Sequence, residues 1–184
     1  MKTAHLAPQA EQADDGDAAR SLEEAFARLQ PELLGMLYYL VGNIEDARDA
    51  LQETFIKCWR NHHQVGEIEN LKAWIFRIAL NTGRDMRSTV WQRRRKPLAG
   101  DGRMLATNAP TAHTQLERQE QLAQVQQALL DLRPEEQEVF LLRQNGYLKY
   151  DEIARTIGIP LNTVKTRMRL ALVKLRKAVV QRQL

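Results

Sequence analysis

A chain of 184 residues is long enough for one or two small domains, which usually run to about 100–150 residues each, and 43% hydrophobic content is enough for a core. Its single cysteine, Cys58, excludes an intrachain disulfide and with it a stapled secreted scaffold. The net charge of +4 is unevenly spread: residues 1–24 carry −4, 25–71 −3, 72–96 +7, 97–159 −3 and 160–184 +7, the last with seven bases and no acid.

Two basic blocks among acidic stretches predict phosphate binding at two places. The N-terminus lacks the apolar core of a signal peptide, and the longest apolar patch, Leu33 to Val41, is about half of a bilayer span. A soluble cytoplasmic protein without membrane insertion is expected.

Residues 1–20, rich in Ala, Gln and Asp without periodicity, predict a disordered acidic tail. Ser21-x-x-Glu24 is a capping box that would start a helix carrying Ala25, Phe26, Leu29, Leu33, Leu34 and Leu37. Pro31 is expected to kink that helix or begin a second segment. Gly42-Asn43 should end it, with Asn43 capping the next helix above Glu45 and Asp46. That helix, to about Asn61, presents Ala47, Leu51, Phe55, Cys58 and Trp59 as an apolar face. After a polar loop, His62 to Glu69, a long helix from Asn70 to about Arg95 has a core stripe of Leu71, Trp74, Ile75, Ile78 and Thr82.

Lys96 to Thr114 reads as a linker. Thr114-x-x-Glu117 is a second capping box, followed by Leu122, Val125, Leu129 and Leu132 on one face. Pro134 opens a helix with Val139, Phe140 and Leu142 as its apolar face, and Asn145-Gly146 stops it. A short helix, Tyr150 to Thr156, leads through the turn Ile157-Gly158-Ile159 to a last helix with Val164, Met168, Ala171 and Leu175 at heptad-like spacing. No strand pattern appears, so the fold class is all-α.

Residues 150–176 have the layout of a helix-turn-helix, whose second helix enters the major groove. Packing of Ile153, Ala154 and Ile157 on Val164 and Met168 would leave Asn162, Thr163, Lys165, Thr166 and Arg169 outward, suited to base edges and phosphates. Arg167, Lys174, Arg176 and Lys177 extend the positive field. The alternative is a merely solvated face.

On the Asn70–Arg95 helix, Phe76, Leu80, Arg84, Arg87 and Trp91 form a second stripe. Arg84, Arg87, Trp91 and the run Arg93-Arg94-Arg95-Lys96 suit single-stranded nucleic acid, where rings stack on bases and guanidinium groups hold phosphate; Phe76 and Leu80 suit packing on the first helix. Asp46, Asp49 and Glu53 around Gln52 make either a solvated face or a docking surface. No histidine stands at metal spacing beside them, and His62 and His63 are poorly placed to chelate, so no metal is expected. Cys58 reads as a core thiol. Neither a nucleophile with its partners nor a phosphate-binding glycine loop is visible, so no catalytic residue or cofactor is expected.

Three segments resemble the extracytoplasmic-function (ECF) group of bacterial sigma factors, in the family's order. Asp46 to Phe55 (DARDALQETF) with Trp59 resembles the region 2 helix that docks on core RNA polymerase. Leu71 to Ala79 (LKAWIFRIA) with Asn81, Asp85 and Arg87 resembles the promoter-opening helix. Leu132 to Phe140 (LRPEEQEVF), Tyr150 to Ala154 (YDEIA) and Thr163 to Arg167 (TVKTR) resemble region 4.

The resemblance implies a tail at 1–20, region 2 at 21–95, a flexible linker at 96–115 and region 4 at 116–184. It implies polymerase docking through Asp46, Asp49, Gln52 and Glu53. It also implies reading of the minus-35 element as duplex through Lys165, Thr166 and Arg169, and capture of an unstacked minus-10 base by the first basic block with the His62–Glu69 loop. An anti-sigma partner is implied by the family alone.

Two departures stand out. Lys149 replaces the family's usual capping serine, a loss of about 1 kcal/mol, offset where Lys149 binds a phosphate. Leu170 and Leu172 occupy positions often basic in the family. A free-standing helix-turn-helix regulator with an N-terminal effector or dimerisation bundle is the competing reading, and a nucleic-acid-processing enzyme a third.

Overall fold

The computed structural model describes residues 9–94 and 125–180. Helix α1 spans Gln9–Val41, α2 Ile44–Arg60, a 3-10 helix His62–Glu67 and α3 Leu71–Arg94. After helical backbone at 125–130 come α4 (Pro134–Gln144), α5 (Tyr150–Ile157) and α6 (Leu161–Val180). Among the described residues every regular element is helical.

Helix α1 begins upstream of the expected point. Residues 9–20 belong to it, and Ser21 and Glu24 lie in its interior rather than at a cap. Good helix formers precede Ser21, and Leu22, Ala25 and Phe26 are buried with Ala18 packed beside them, so nothing ends the helix there. Residues 1–8 of the expected tail lie outside the described residues.

The same helix continues through Pro31. Proline removes one backbone hydrogen bond, but Leu29, Leu33, Met36 and Leu37 on both sides of it are buried, which holds the segment in place. Gly42 then turns the chain at φ 90°, a conformation open to glycine. Asn43 caps α2 as expected: its Oδ1 accepts the Asp46 N–H at 2.8 Å.

Helices α1, α2 and α3 pack against one another around Leu33, Met36, Leu37, Ala47, Ala50, Cys58, Ile75 and Phe76. The expected stripes are shifted at their edges. Trp59 is 38% exposed and outside the core. On α3, Phe76, Ala79 and Leu80 are buried with Ile75 and Thr82, whereas Leu71, Trp74 and Ile78 are half-buried. The cause is position: α3 contacts both α1 and α2, so two faces are covered rather than one. Gly83 permits this approach, since a Cβ there would lie 2.9 Å from Leu40 Cδ1 and 3.2 Å from Leu37 Cδ2.

The C-terminal module forms as its local signals predict. Ile153, Val164 and Met168 are buried, Ala154 and Ile157 pack beside them, and Gly158 turns between α5 and α6 at φ 71°. Gly146 ends α4 where a Cβ would lie 2.5 Å from the Leu142 carbonyl oxygen. Leu141 and Leu142 are buried on α4 while Phe140 is half-buried, and Val125, expected inside, is exposed. The linker, the Thr114–Glu117 box and Leu122 lie outside the described residues. The two modules, expected as separate units on a linker, share one buried cluster here: Val139, Leu142, Leu148 and Ile153 join the core of α1–α3.

Candidate nucleic-acid interface

Helix α5 presents α6. Lys149 gives α5 no side-chain cap, as the missing serine implied, but Glu152 Oε2 accepts the Lys149 N–H at 2.6 Å and satisfies the chain entering the helix. With Val164, Met168 and Ala171 buried, α6 turns Asn162, Lys165, Thr166 and Arg169 outward together, all exposed. The Thr166 hydroxyl donates to the Asn162 carbonyl at 2.9 Å, which leaves its lone pairs facing outward. Thr163 and Arg167 are half-buried at the edge of this face, and Lys149 is exposed at the start of α5. Lys174 is not part of the free positive field expected of it: its Nζ bonds Glu136 Oε2 at 2.6 Å and ties α6 to α4.

The second basic face is differently disposed. Arg84 Nε and Nη2 donate to Glu138 Oε1 and Oε2 at 2.8 and 2.5 Å, a bidentate fork. Arg87 reaches the same carboxylate at 3.9 Å and Gln137 Oε1 at 3.5 Å. Glu138 is 6% exposed at its side chain. Its hydrogen bond is the main cause that pushes the Arg84 guanidinium above its usual pKa, so Arg84 stays cationic. Both arginines, expected to contact a DNA strand, are engaged by α4 in this structure. Trp91, Arg93 and Arg94 lie in the last turns of α3, their side chains outside the described part of the structure.

The 3-10 helix carries His62 and His63. His62 stacks on Trp59 with ring centroids 5.0 Å apart and planes 18° from parallel, and its Nδ1 lies 2.6 Å from the Trp59 carbonyl oxygen. That oxygen only accepts, so Nδ1 carries a proton. Phe26, Phe55, Trp59, His62 and His63 form an aromatic row from the core to the surface. Trp59 belongs to this surface, and the spacing of Phe55, Trp59 and His62 at i, i+4 and i+7 was the available sign.

On α2, Asp49 and Gln52 are exposed, and Glu53 is half-exposed with Lys57 at 3.9 Å. Asp46 also accepts from Asn43 Nδ2 at 2.5 Å, so it serves the cap as well. Ile56, 42% exposed beside these polar groups, is an apolar residue outside the core face, which the spacing of the apolar stripe does not mark.

Cys58 is fully buried, and burial pushes its thiol up to about 12, unsuited to nucleophilic work. Among the described residues no three His, Cys, Asp or Glu side chains could hold a metal ion, and no helix is long and apolar enough to cross a membrane.

Known proteins resemble both halves. The model of sigma-70 region 2 matches residues 25–94, and that of sigma-70 region 4 matches residues 122–175. The ECF RNA polymerase sigma factor EcfG of Rhodopseudomonas palustris is 30% identical over 160 residues, 84% of this chain and 83% of that protein. The chain belongs to the ECF group of sigma-70 family RNA polymerase sigma factors.

The RNA polymerase sigma factor YlaC of Bacillus subtilis is a further relative of this sigma factor, 26% identical over 162 residues, 85% of this chain and 91% of that one. Two solved structures share the fold. CnrH in complex with the cytosolic domain of CnrY aligns with TM-score 0.61 at 23% identity, over 91% of this chain and 96% of that one. The sigma factor RpoE in complex with the anti-sigma factor NepR from Bartonella quintana aligns with TM-score 0.66 at 21% identity, over 87% and 97%. As a sigma factor the chain is an initiation factor rather than an enzyme, and it directs core RNA polymerase to promoter DNA through regions 2 and 4. The free-standing regulator and the processing enzyme fall away.

Proposed function

We propose that this sigma factor divides promoter recognition between its two basic faces. Region 4 reads the minus-35 element as duplex through Asn162, Lys165, Thr166 and Arg169, with Lys149, Thr163 and Arg167 against the backbone. Region 2 holds one strand of the melted minus-10 element, using His62 and His63 with Arg84, Arg87, Trp91, Arg93 and Arg94, and docks on core polymerase through Asp46, Asp49, Gln52 and Glu53. It works in the cytoplasm, where an anti-sigma factor restrains it, as NepR is bound to its sigma factor in the solved complex.

The observation that carries this reading is the outward face of α6, where four groups able to bond base edges or phosphates stand exposed together on a helix-turn-helix with no acid on its second helix. Run-off transcription with core enzyme on a genomic library tests it: discrete start sites that depend on the added chain are expected, and promoter-independent synthesis alone would refute it. Arg169→Ala should weaken binding at the minus-35 duplex by about 1–3 kcal/mol in competition assays. An equal loss on unrelated duplex would reduce Arg169 to a phosphate contact.

A further inference from the structure

The two modules are joined by a specific set of polar contacts. Besides the Arg84–Glu138 fork, Asn70 Nδ2 donates to Glu152 Oε1 at 3.0 Å, and Gln137 Nε2 donates to the Tyr39 carbonyl at 3.1 Å. Lys72 lies 5.2 Å from the centroid of the Tyr147 ring. Gly35 on α1 lies against the end of α4, where an added Cβ would stand 2.9 Å from Asn145 Nδ2.

The chemistry of the fork is informative. A guanidinium holds a carboxylate and a phosphate with the same planar pair of N–H donors. Glu138 therefore occupies Arg84 in the manner a DNA phosphate would, with Arg87 drawn to the same carboxylate. A carboxylate at 6% exposure is costly unless it is paired. Separation of the modules would return Glu138 to water and release both arginines, so the closed form gains little from this pair over two solvated charges. Such a contact holds the modules together yet yields to a competing anion.

We propose that Glu138 is an intramolecular phosphate surrogate, a latch by which region 4 closes over region 2 and masks Arg84 and Arg87 until the promoter strand displaces it. The masking rests on the reading of those arginines as minus-10 contacts; the closure does not. By linkage, whatever weakens closure strengthens strand binding, by up to the same factor.

The experiment uses the full chain with cysteines at exposed Gln30 on α1 and exposed Arg155 on α5, labelled for energy transfer. Cys58, fully buried, stays unlabelled. Glu138→Gln removes the latch charge. Gly35→Leu places a wedge against Asn145 and leaves every charge in place, which separates opening from a general electrostatic gain. Both variants should lengthen the distance between the labels. Both should also raise affinity for a fluorescent single-stranded oligonucleotide of random sequence by about fivefold or more.

The charge swap Arg84→Glu with Glu138→Arg should restore the short distance, and circular dichroism checks that each variant folds. An unchanged distance in folded Glu138→Gln and Gly35→Leu overturns the latch. A longer distance with no gain in strand affinity upholds the closure and refutes Arg84 and Arg87 as strand contacts.

Discussion

Phe76→Ala lowers the unfolding free energy by about 3–5 kcal/mol, measured as a shifted midpoint in urea with an unchanged slope. The ring is fully buried in the cluster that α1, α2 and α3 share, so truncation removes apolar surface and leaves a cavity where several helices meet. Folded domains are stable by only about 5–15 kcal/mol, so this one substitution removes a large share. Trp59→Ala serves as the control: its larger ring is 38% exposed, and water already reaches the space it would vacate. A loss at Phe76 no greater than at Trp59 would place the core of α3 on its other face, along Leu71, Trp74 and Ile78.

Reversing Asp49 and Glu53 together to lysine should weaken association with core RNA polymerase more than a hundredfold, about 3 kcal/mol, in co-purification and competition binding. Both groups stand on the outward side of α2, and neither caps the helix nor carries a core contact, so the fold is retained. Glu53 meets Lys57 at 3.9 Å, an exposed pair of small value to stability. Ile56 in the same patch makes a matching case, since an exposed aliphatic beside carboxylates has an apolar contact to offer a partner. Ile56→Ala should weaken association without altering the charge. Unchanged affinity in the double reversal would leave this face solvated and place polymerase docking elsewhere.

Much of this was legible in the chain because the relevant forces are local. Asn43 caps α2 through its own neighbour three residues on, and Gly42 and Gly158 supply the positive φ that their turns require. The packing of Ile153 on Val164 and Met168 follows from helical period across an eight-residue helix and a glycine turn. Periodicity was less reliable at the edges of a stripe. It marked Trp59 as core and assigned Phe76 and Leu80 correctly to packing on the first helix but outside the main stripe of α3, because a helix wheel gives the direction of the apolar face but not how many neighbours cover it. The start of α1 was misplaced because a capping box sets a helix start only where the chain before it leaves the helix, and α1 runs on upstream through residues 9–20.

The sequence by itself determined an all-helical chain, two cationic modules, a helix-turn-helix and the membership that the family models and relatives bear out. Only the tertiary structure decided which charges are engaged. Arg84 and Glu138 lie 54 residues apart, and Lys174 and Glu136 38 apart, so no local pattern pairs them. Helices and turns are set by interactions within a few residues, which the chain states openly. The pairing of distant charges depends on which buried faces bring two helices together, and that is a property of the packed core.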